Sequence, residues 1–161
     1  SAINYSEDNL REAKSALERF YLTLKGVETA PAAGGEAFVE RFNKAMDDDF
    51  NAPEACSVLF EMAREVNRLA SQDPAAAAGL AARMRELGAV LGILQLEPNA
   101  FLQAGSDKVD AAQVEALIAA RLAARQNKEW AESDRIRDEL TAMGIVLEDG
   151  KDGTGWRFAD Q

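Results

Sequence analysis

Histidine is absent from this sequence of 161 residues, and Cys56 is its only cysteine. The chain therefore lacks the commonest metal ligand and general base, and it cannot form an intrachain disulfide. No apolar run approaches the ~18 residues of a membrane span, and the first residues do not resemble a secretory signal. These absences predict a cytosolic protein whose sites work without zinc-type chemistry. A lone cysteine within an apolar helix is interpreted as a small core residue.

Positive charge is also scarce, since 18 Lys and Arg face 28 Asp and Glu and give a formal net charge of −10. Binding to nucleic acid by bulk attraction requires clustered basic residues that neutralise phosphates. The composition argues against that mode of binding. A local basic patch remains compatible with this net charge.

Apolar residues recur every three or four positions through the first part of the chain and predict four amphipathic helices. The first runs from about 6 to 25, with Ser6 as its N-cap. Asn51 and Asp73 are predicted N-caps of the third and fourth helices, and each is followed closely by a proline that suits a first turn. Helices of this kind bury their apolar faces together, so residues 4–97 are predicted to form an antiparallel bundle.

The acidic stretch before the third helix has a second interpretation. Asp47, Asp49 and Asn51 have the alternating spacing of calcium ligands. However, Ala52 stands where the calcium loop needs glycine, and Val58 stands where it needs a bidentate glutamate. Helix capping by Asn51 is therefore preferred, and no metal site is predicted.

A turn-rich segment, AGSDK at 104–108, is the predicted linker between two units, residues 1–104 and residues 105–161. The second unit is predicted to contain a helix capped by Asp110, a helix from about Lys128, and strands at 145–147 and 154–158 joined by a turn at 148–153. The predicted fold class is mainly α: an antiparallel helical bundle followed by a small α/β unit of two helices and a short two-stranded sheet.

Basic residues recur along the first helix of this second unit. Arg121, Arg125 and Lys128 are spaced by four and three positions, so they share one side of the helix. A stripe of this kind is either a solvated face or part of a binding surface. Spacing alone leaves both interpretations open.

The next helix separates an apolar face from a polar one. At ~100° per residue, Trp130, Asp134 and Arg137 lie roughly 100 to 160° from the apolar face. That face consists of Ile136, Leu140 and Met143. A tryptophan in this position either covers the rim of the core or offers a stacking surface beside hydrogen-bonding groups, as RNA bases require.

Three segments carry a resemblance to a known family: MDDDFNAPEACSVLF (46–60), RLAARQNKEWAESDRIRDEL (121–140) and MGIVLEDGKDGTGWR (143–157). Together they resemble the C-terminal part of bacterial cysteinyl-tRNA synthetases, and LEDG followed by GTGWR is the most specific piece. The resemblance covers nearly the whole chain. It implies that 1–104 is a helical DALR-type domain and that 105–161 is an anticodon-binding domain.

The same resemblance implies what this chain does not carry. The HIGH and KMSKS motifs and the Cys/His zinc site of the family's catalytic domain are not in the sequence. The chain is then part of a ligase, without catalytic residues or cofactors of its own and inactive alone. ATP and zinc are implied for the full-length enzyme, and the catalytic domain of that enzyme is an implied partner.

By position, the family's anticodon contacts correspond to Arg125, Trp130, Asp134 and Asp149. The resemblance implies cysteine tRNA as the partner, bound through its GCA anticodon. A base would stack on Trp130, while both carboxylates accept hydrogen bonds from base N–H groups and Arg125 donates to base or backbone oxygens.

Two other functions remain open at this point. A related ligase joins cysteine to an amino-sugar intermediate, but GTGWR and the helix of Trp130 argue against it because that enzyme lacks a full anticodon domain. A free-standing helical adaptor that binds proteins is the alternative from a different class, since amphipathic helices and an acidic surface would suffice for it.

Overall fold

Helices dominate the computed structural model, which describes residues 2–47, 50–102, 111–150 and 153–159, with side chains described from Asp8 onward. Within these ranges lie seven helices and one two-stranded antiparallel sheet, so the predicted mainly α class is confirmed. The elements are α1 (Ala2–Lys25), α2 (Glu36–Asp47), α3 (Ala52–Leu69), α4 (Pro74–Leu91), α5 (Pro98–Leu102), α6 (Ala111–Gln126), α7 (Trp130–Ala142), β1 (Ile145–Gly150) and β2 (Gly153–Phe158).

Two predicted helix starts are confirmed by their side-chain caps. Asn51 Oδ1 accepts a hydrogen bond of 3.2 Å from the backbone N–H of Glu54, and Asp73 Oδ1 accepts one of 3.2 Å from Ala76. Each satisfies a donor that the first turn of a helix leaves without an intrahelical partner. The capping role preferred for Asn51 is therefore the one that the structure shows.

The predicted start of α1 is wrong, because the helix already begins at Ala2 and Ser6 lies inside it. A serine can cap a helix, but it does not force one to start where the preceding residues can also adopt helical geometry. Asp49, the predicted linker 104–108 and the predicted cap Asp110 lie outside the described residues. The boundary between 104 and 105 stays a prediction.

One continuous core connects the early and late helices. α3 packs against α2 and α4, whereas α1 lies mainly against α5 and α6 and makes fewer contacts with α3. α6 therefore lies beside helices that precede it by many residues. Buried apolar side chains form one cluster from α1 to β1 that includes Leu17, Met62, Met84, Ile118, Leu140 and Ile145.

A carboxylate, Glu115, lies at the junction of α1, α6 and the chain that follows α4, and only 1% of its surface is exposed. The Tyr21 hydroxyl donates to its Oε1 at 2.6 Å, and the backbone N–H groups of Leu94 and Gln95 donate to its two oxygens at 3.1 and 3.0 Å. Burial raises the pKa of Glu115 despite these bonds. These hydrogen bonds join three segments that are distant in sequence.

The small sheet is longer than predicted. Asp149 pairs with Thr154, and Glu148 pairs with Gly155, so the predicted turn at 148–153 is too wide. Ladder pairing with β2 keeps these polar residues in the strand despite their low strand propensity. Gly153, with φ 123°, lets β2 approach α4, because a Cβ there would lie 2.3 Å from the carbonyl oxygen of Val90.

Candidate nucleic-acid interface

An open groove of about 1070 Å³ lies where the end of α2, the helices α6 and α7, and the sheet meet. All four residues that the resemblance singled out line it: Arg125, Trp130, Asp134 and Asp149. They come from α6, from the start and second turn of α7, and from β1. The fold therefore gathers on one surface side chains that span 25 positions of the sequence.

Trp130 is the first residue of α7, and 58% of its surface is exposed. The chain reverses just before it, where Lys128 adopts a φ of 60° and Glu129 N–H donates to the carbonyl oxygen of Ala124 at 2.8 Å. The apolar face of the same helix, represented by Ile136 and Leu140, is buried. An indole this exposed contributes little to the core, so its ring is accessible to a ligand.

Asp134 lies one helical turn after Trp130 and is exposed on the same groove. Among the described residues it has no hydrogen-bond or ion-pair partner. The Arg125 guanidinium lies 5.4 Å from the centre of the Phe50 ring. It forms no ion pair with any carboxylate that the structure describes. The groove thus presents a carboxylate acceptor and a guanidinium donor that are both available to a ligand.

Asp149 has a different environment, because its oxygens already accept three hydrogen bonds. Oδ2 accepts from Arg137 at 2.9 Å and from Arg121 at 3.3 Å, and Oδ1 accepts from the Thr154 hydroxyl at 2.8 Å. Partial burial favours a higher pKa for Asp149, but the Thr154 hydroxyl and the Arg121 charge outweigh it and hold the pKa below its usual range. A carboxylate accepts about four hydrogen bonds, so little capacity remains for a base.

Arg121 and Arg137 are residues of the groove that sequence reasoning did not assign to the site. The Arg121 side chain is 9% exposed, so a solvated face is the wrong interpretation for this member of the basic stripe. Burial lowers its pKa, and its Nε has no hydrogen-bond partner among the described residues. Arg137 is half-exposed and donates from its Nη2 to Asp149. The sequence signal for Arg121 was its spacing from Arg125, and that for Arg137 was its angular position beside Trp130 and Asp134.

Among the residues that the structure describes, the charges that line the groove balance each other. Three positive side chains, Arg121, Arg125 and Arg137, face three negative ones, Asp47, Asp134 and Asp149. Phosphate binding depends on excess positive charge, whereas base edges are recognised by donors and acceptors placed together. The groove is suited to base edges more than to a phosphate backbone.

No group of three His, Cys, Asp or Glu side chains that could hold a metal ion occurs within the described ranges. No helix in the same ranges is long and apolar enough to cross a membrane. Cys56 is partly buried, and that burial raises the pKa of its thiol, so the reactive thiolate is disfavoured. The interpretation of Cys56 as a packing residue agrees with this environment.

Comparison with protein families gives two matches along the chain. Residues 41–95 match the DALR domain, and residues 111–157 match the cysteinyl-tRNA ligase anticodon binding domain. The second match contains Arg125, Trp130, Asp134 and Asp149. The first contains α3, α4 and Phe50, and Phe50 also lines the groove.

Curated relatives match over the whole length of the chain. It is 70% identical to a cysteine–tRNA ligase of Pseudomonas fluorescens (strain SBW25) over 162 residues, covering 100% of this chain. It is 72% identical to that of Ectopseudomonas mendocina (strain ymp) and 73% identical to that of Stutzerimonas stutzeri (strain A1501), with 99% of this chain covered in both.

The chain spans 35% of the length of each of these three relatives and corresponds to their C-terminal part. The resemblance stated from the sequence is therefore confirmed. The chain contains a DALR domain at 41–95 and a cysteinyl-tRNA ligase anticodon-binding domain at 111–157, and these relatives of it are cysteine–tRNA ligases.

Proposed function

We propose that this chain binds the anticodon loop of cysteine tRNA and recognises its GCA anticodon. It does so as the C-terminal part of a cytoplasmic cysteine–tRNA ligase, whose catalytic domain aminoacylates the tRNA with ATP and holds the zinc. One observation carries the proposal: an exposed indole, Trp130, lines the same groove as Asp134 and Arg125, whose acceptor and donors are free for a ligand.

Each of these side chains has a chemical part in the proposal. A splayed base stacks on Trp130, because any base offers a π face to an aromatic ring. Asp134 accepts a hydrogen bond from a base N–H, and Arg125 donates to base or backbone oxygens. Asp149 holds Arg121 and Arg137 along the groove and uses any remaining acceptor position on a base.

The acidic net charge is compatible with this function. Contacts to bases carry the specificity, while contacts to phosphates supply much of the sequence-independent affinity. In the proposal, the other domain of the ligase makes most of the phosphate contacts. The balanced groove described above then contributes discrimination among anticodons more than bulk affinity.

The test uses RNA stem-loops with a GCA anticodon and with each anticodon base replaced in turn, titrated at fixed salt. Wild type is expected to bind the GCA loop most tightly. Trp130→Ala is expected to weaken binding about ten- to a hundredfold, because stacking contributes ~1–3 kcal/mol per base. Leu22→Ala is the matched control, since Leu22 is also 58% exposed but lies on α1, away from the groove.

A second variant separates affinity from discrimination. Asp134→Asn keeps the shape of the side chain and adds a donor, so the preference for GCA should fall while the melting temperature is unchanged. Glu18→Gln on the exposed side of α1 controls for the change in net charge. Equal binding of all loops by wild type, or loss of thermal stability without loss of affinity for the GCA loop in Trp130→Ala, would overturn the proposal.

A further inference from the structure

Phe50 lies in the connection between α2 and α3 with a backbone conformation that side chains rarely adopt. Its φ is 55°, in the left-handed region that favours glycine. Its surroundings fix it there: Asn51 N–H donates to the carbonyl oxygen of Ala45 at 2.7 Å, and Ala52 N–H donates to that of Phe50 at 3.0 Å. The half-buried ring lines the groove. Its position is therefore set by the backbone of the DALR domain.

The ring of Phe50 contacts a side chain of the other domain. The Arg125 guanidinium lies 5.4 Å from the ring centre, within the range of a cation–π interaction. Phe50 belongs to the matched segment 41–95 and Arg125 to the matched segment 111–157. The contact thus connects the two domains at the edge of the groove.

An aromatic partner differs from a carboxylate in what it leaves available. A carboxylate would occupy two of the N–H donors of a guanidinium in a bidentate pair. A ring face attracts the cation through its quadrupole and leaves the in-plane donors of the guanidinium for another acceptor. Arg121 and Arg137, by contrast, each donate to Asp149. Of these three groove arginines, Arg125 is the one held by a ring.

We propose that Phe50 is a positioning residue for RNA recognition: it holds Arg125 over its ring with the guanidinium donors directed into the groove. The anticodon site is then built by both domains, and the DALR domain contributes to discrimination among anticodons as well as to support. This inference rests on the proposed function of the groove. Phe50 acts through Arg125 and needs no contact with the RNA itself.

The test is a double-mutant cycle on binding of the GCA stem-loop by the 161-residue chain. Phe50→Leu keeps an apolar side chain at the same backbone conformation and removes only the ring. Loss of a partly exposed cation–π contact is expected to weaken binding by roughly three- to tenfold. In an Arg125→Ala background, Phe50→Leu should have no further effect, because its role depends on Arg125.

The chain offers a matched control for the loss of an aromatic ring beside an arginine. The Arg19 guanidinium lies 5.2 Å from the centre of the Phe60 ring, and both residues lie on the α1–α3 surface, outside the groove. Phe60→Leu removes this cation–π pair, together with the stacking of Phe60 on Phe20, and should leave RNA binding unchanged. Weaker binding by Phe60→Leu equal to that of Phe50→Leu would overturn the inference.

Other outcomes also decide the question. Wild-type affinity in Phe50→Leu, or equal weakening by Phe50→Leu with and without Arg125, would contradict a role through Arg125. If Phe50→Leu does not fold, Phe50→Tyr and Phe50→Trp replace it, and both should bind as tightly as wild type. Weaker binding by both at an unchanged melting temperature would overturn the inference. Failure of the proposed function gives a different result, since wild type itself would then not prefer GCA.

Discussion

Two carboxylates, Glu115 and Asp149, lie in different surroundings around the same helix, α6. Glu115 is on α6 and accepts hydrogen bonds from neutral donors in the interior. Asp149 is on β1 at the edge of the groove and accepts from two arginines, one of them the α6 residue Arg121. Burial raises the pKa of Glu115, whereas the neighbours of Asp149 lower its pKa. On α6, Glu115 therefore joins distant segments of the fold, whereas Arg121 contributes positive charge to the groove.

The comparison separates a carboxylate that stabilises the fold from one that orders a surface. The Glu115 carboxylate accepts from two backbone N–H groups and a hydroxyl that would otherwise be buried without these partners. The Asp149 side chain is 36% exposed, so solvent screens its ion pairs with Arg121 and Arg137 and each contributes little to stability. These pairs nevertheless fix the positions of two guanidinium groups at the groove. Changes at the two sites should therefore have effects of different kinds.

The largest effect is expected for Glu115→Ala. The variant leaves the Tyr21 hydroxyl and two backbone N–H groups buried without their acceptor, and each unsatisfied donor costs ~1–3 kcal/mol. The free energy of unfolding should fall by about 3–5 kcal/mol, measured by urea denaturation. Glu18→Ala, at an exposed position on α1, should change it by no more than ~0.5 kcal/mol.

A loss below about 1 kcal/mol in Glu115→Ala would break the comparison, because Glu115 would then behave as an exposed carboxylate does. Tyr21→Phe offers an independent check on the same joint. It removes the hydroxyl that donates to Glu115 and accepts from the backbone N–H of Leu96 at 3.2 Å. Its expected cost is smaller than that of Glu115→Ala, because Glu115 keeps its two backbone donors.

A smaller effect is expected in how the stability contributions of Asp149 and Glu115 depend on pH. The lowered pKa of Asp149 means that its contribution to stability is present above ~3.9, the usual value in an unfolded chain, and is lost as pH falls through the folded value. The raised pKa of Glu115 has the opposite sign. Its contribution is complete below ~4.3 and is lost as pH rises through the folded value.

The unfolding free energy of wild type relative to Asp149→Asn should therefore increase as pH rises through the lowered pKa of Asp149 and level off above ~3.9. That of wild type relative to Glu115→Gln should decrease as pH rises above about 4.3. The Asp149 effect should stay below ~1 kcal/mol, because the Asp149 carboxylate is partly exposed and solvent screens its pairs. Slopes of the same sign for the two differences would show that the two environments are not distinct.

Sequence periodicity predicted the elements that depend on local information. The caps of α3 and α4 follow from Asn51 and Asp73 with the prolines after them. The exposure of Trp130 and Asp134 follows from the angular separation between the polar and apolar faces of α7. In each case, the decisive interactions lie within one or two helical turns.

Contacts between distant segments were not predictable in this way. Tyr21 and Glu115 are 94 positions apart, and no local pattern connects them. α6 also has neighbours on several sides, so it buries Glu115 and Arg121 along with its apolar face. A polar residue that is buried by a distant neighbour looks like a solvated one in the sequence. The contact between Phe50 and Arg125 was missed for the same reason.

The central claim, that a base stacks on Trp130, is tested most directly by the fluorescence of this residue. The chain has two tryptophans, so Trp156→Phe leaves Trp130 as the only indole. Trp156 packs edge-on against Phe158, and phenylalanine keeps an aromatic ring in that position. Titration with the GCA stem-loop should quench the Trp130 emission in proportion to the RNA bound, because a stacked base changes the surroundings of the indole. Unchanged emission at saturating RNA would contradict the account.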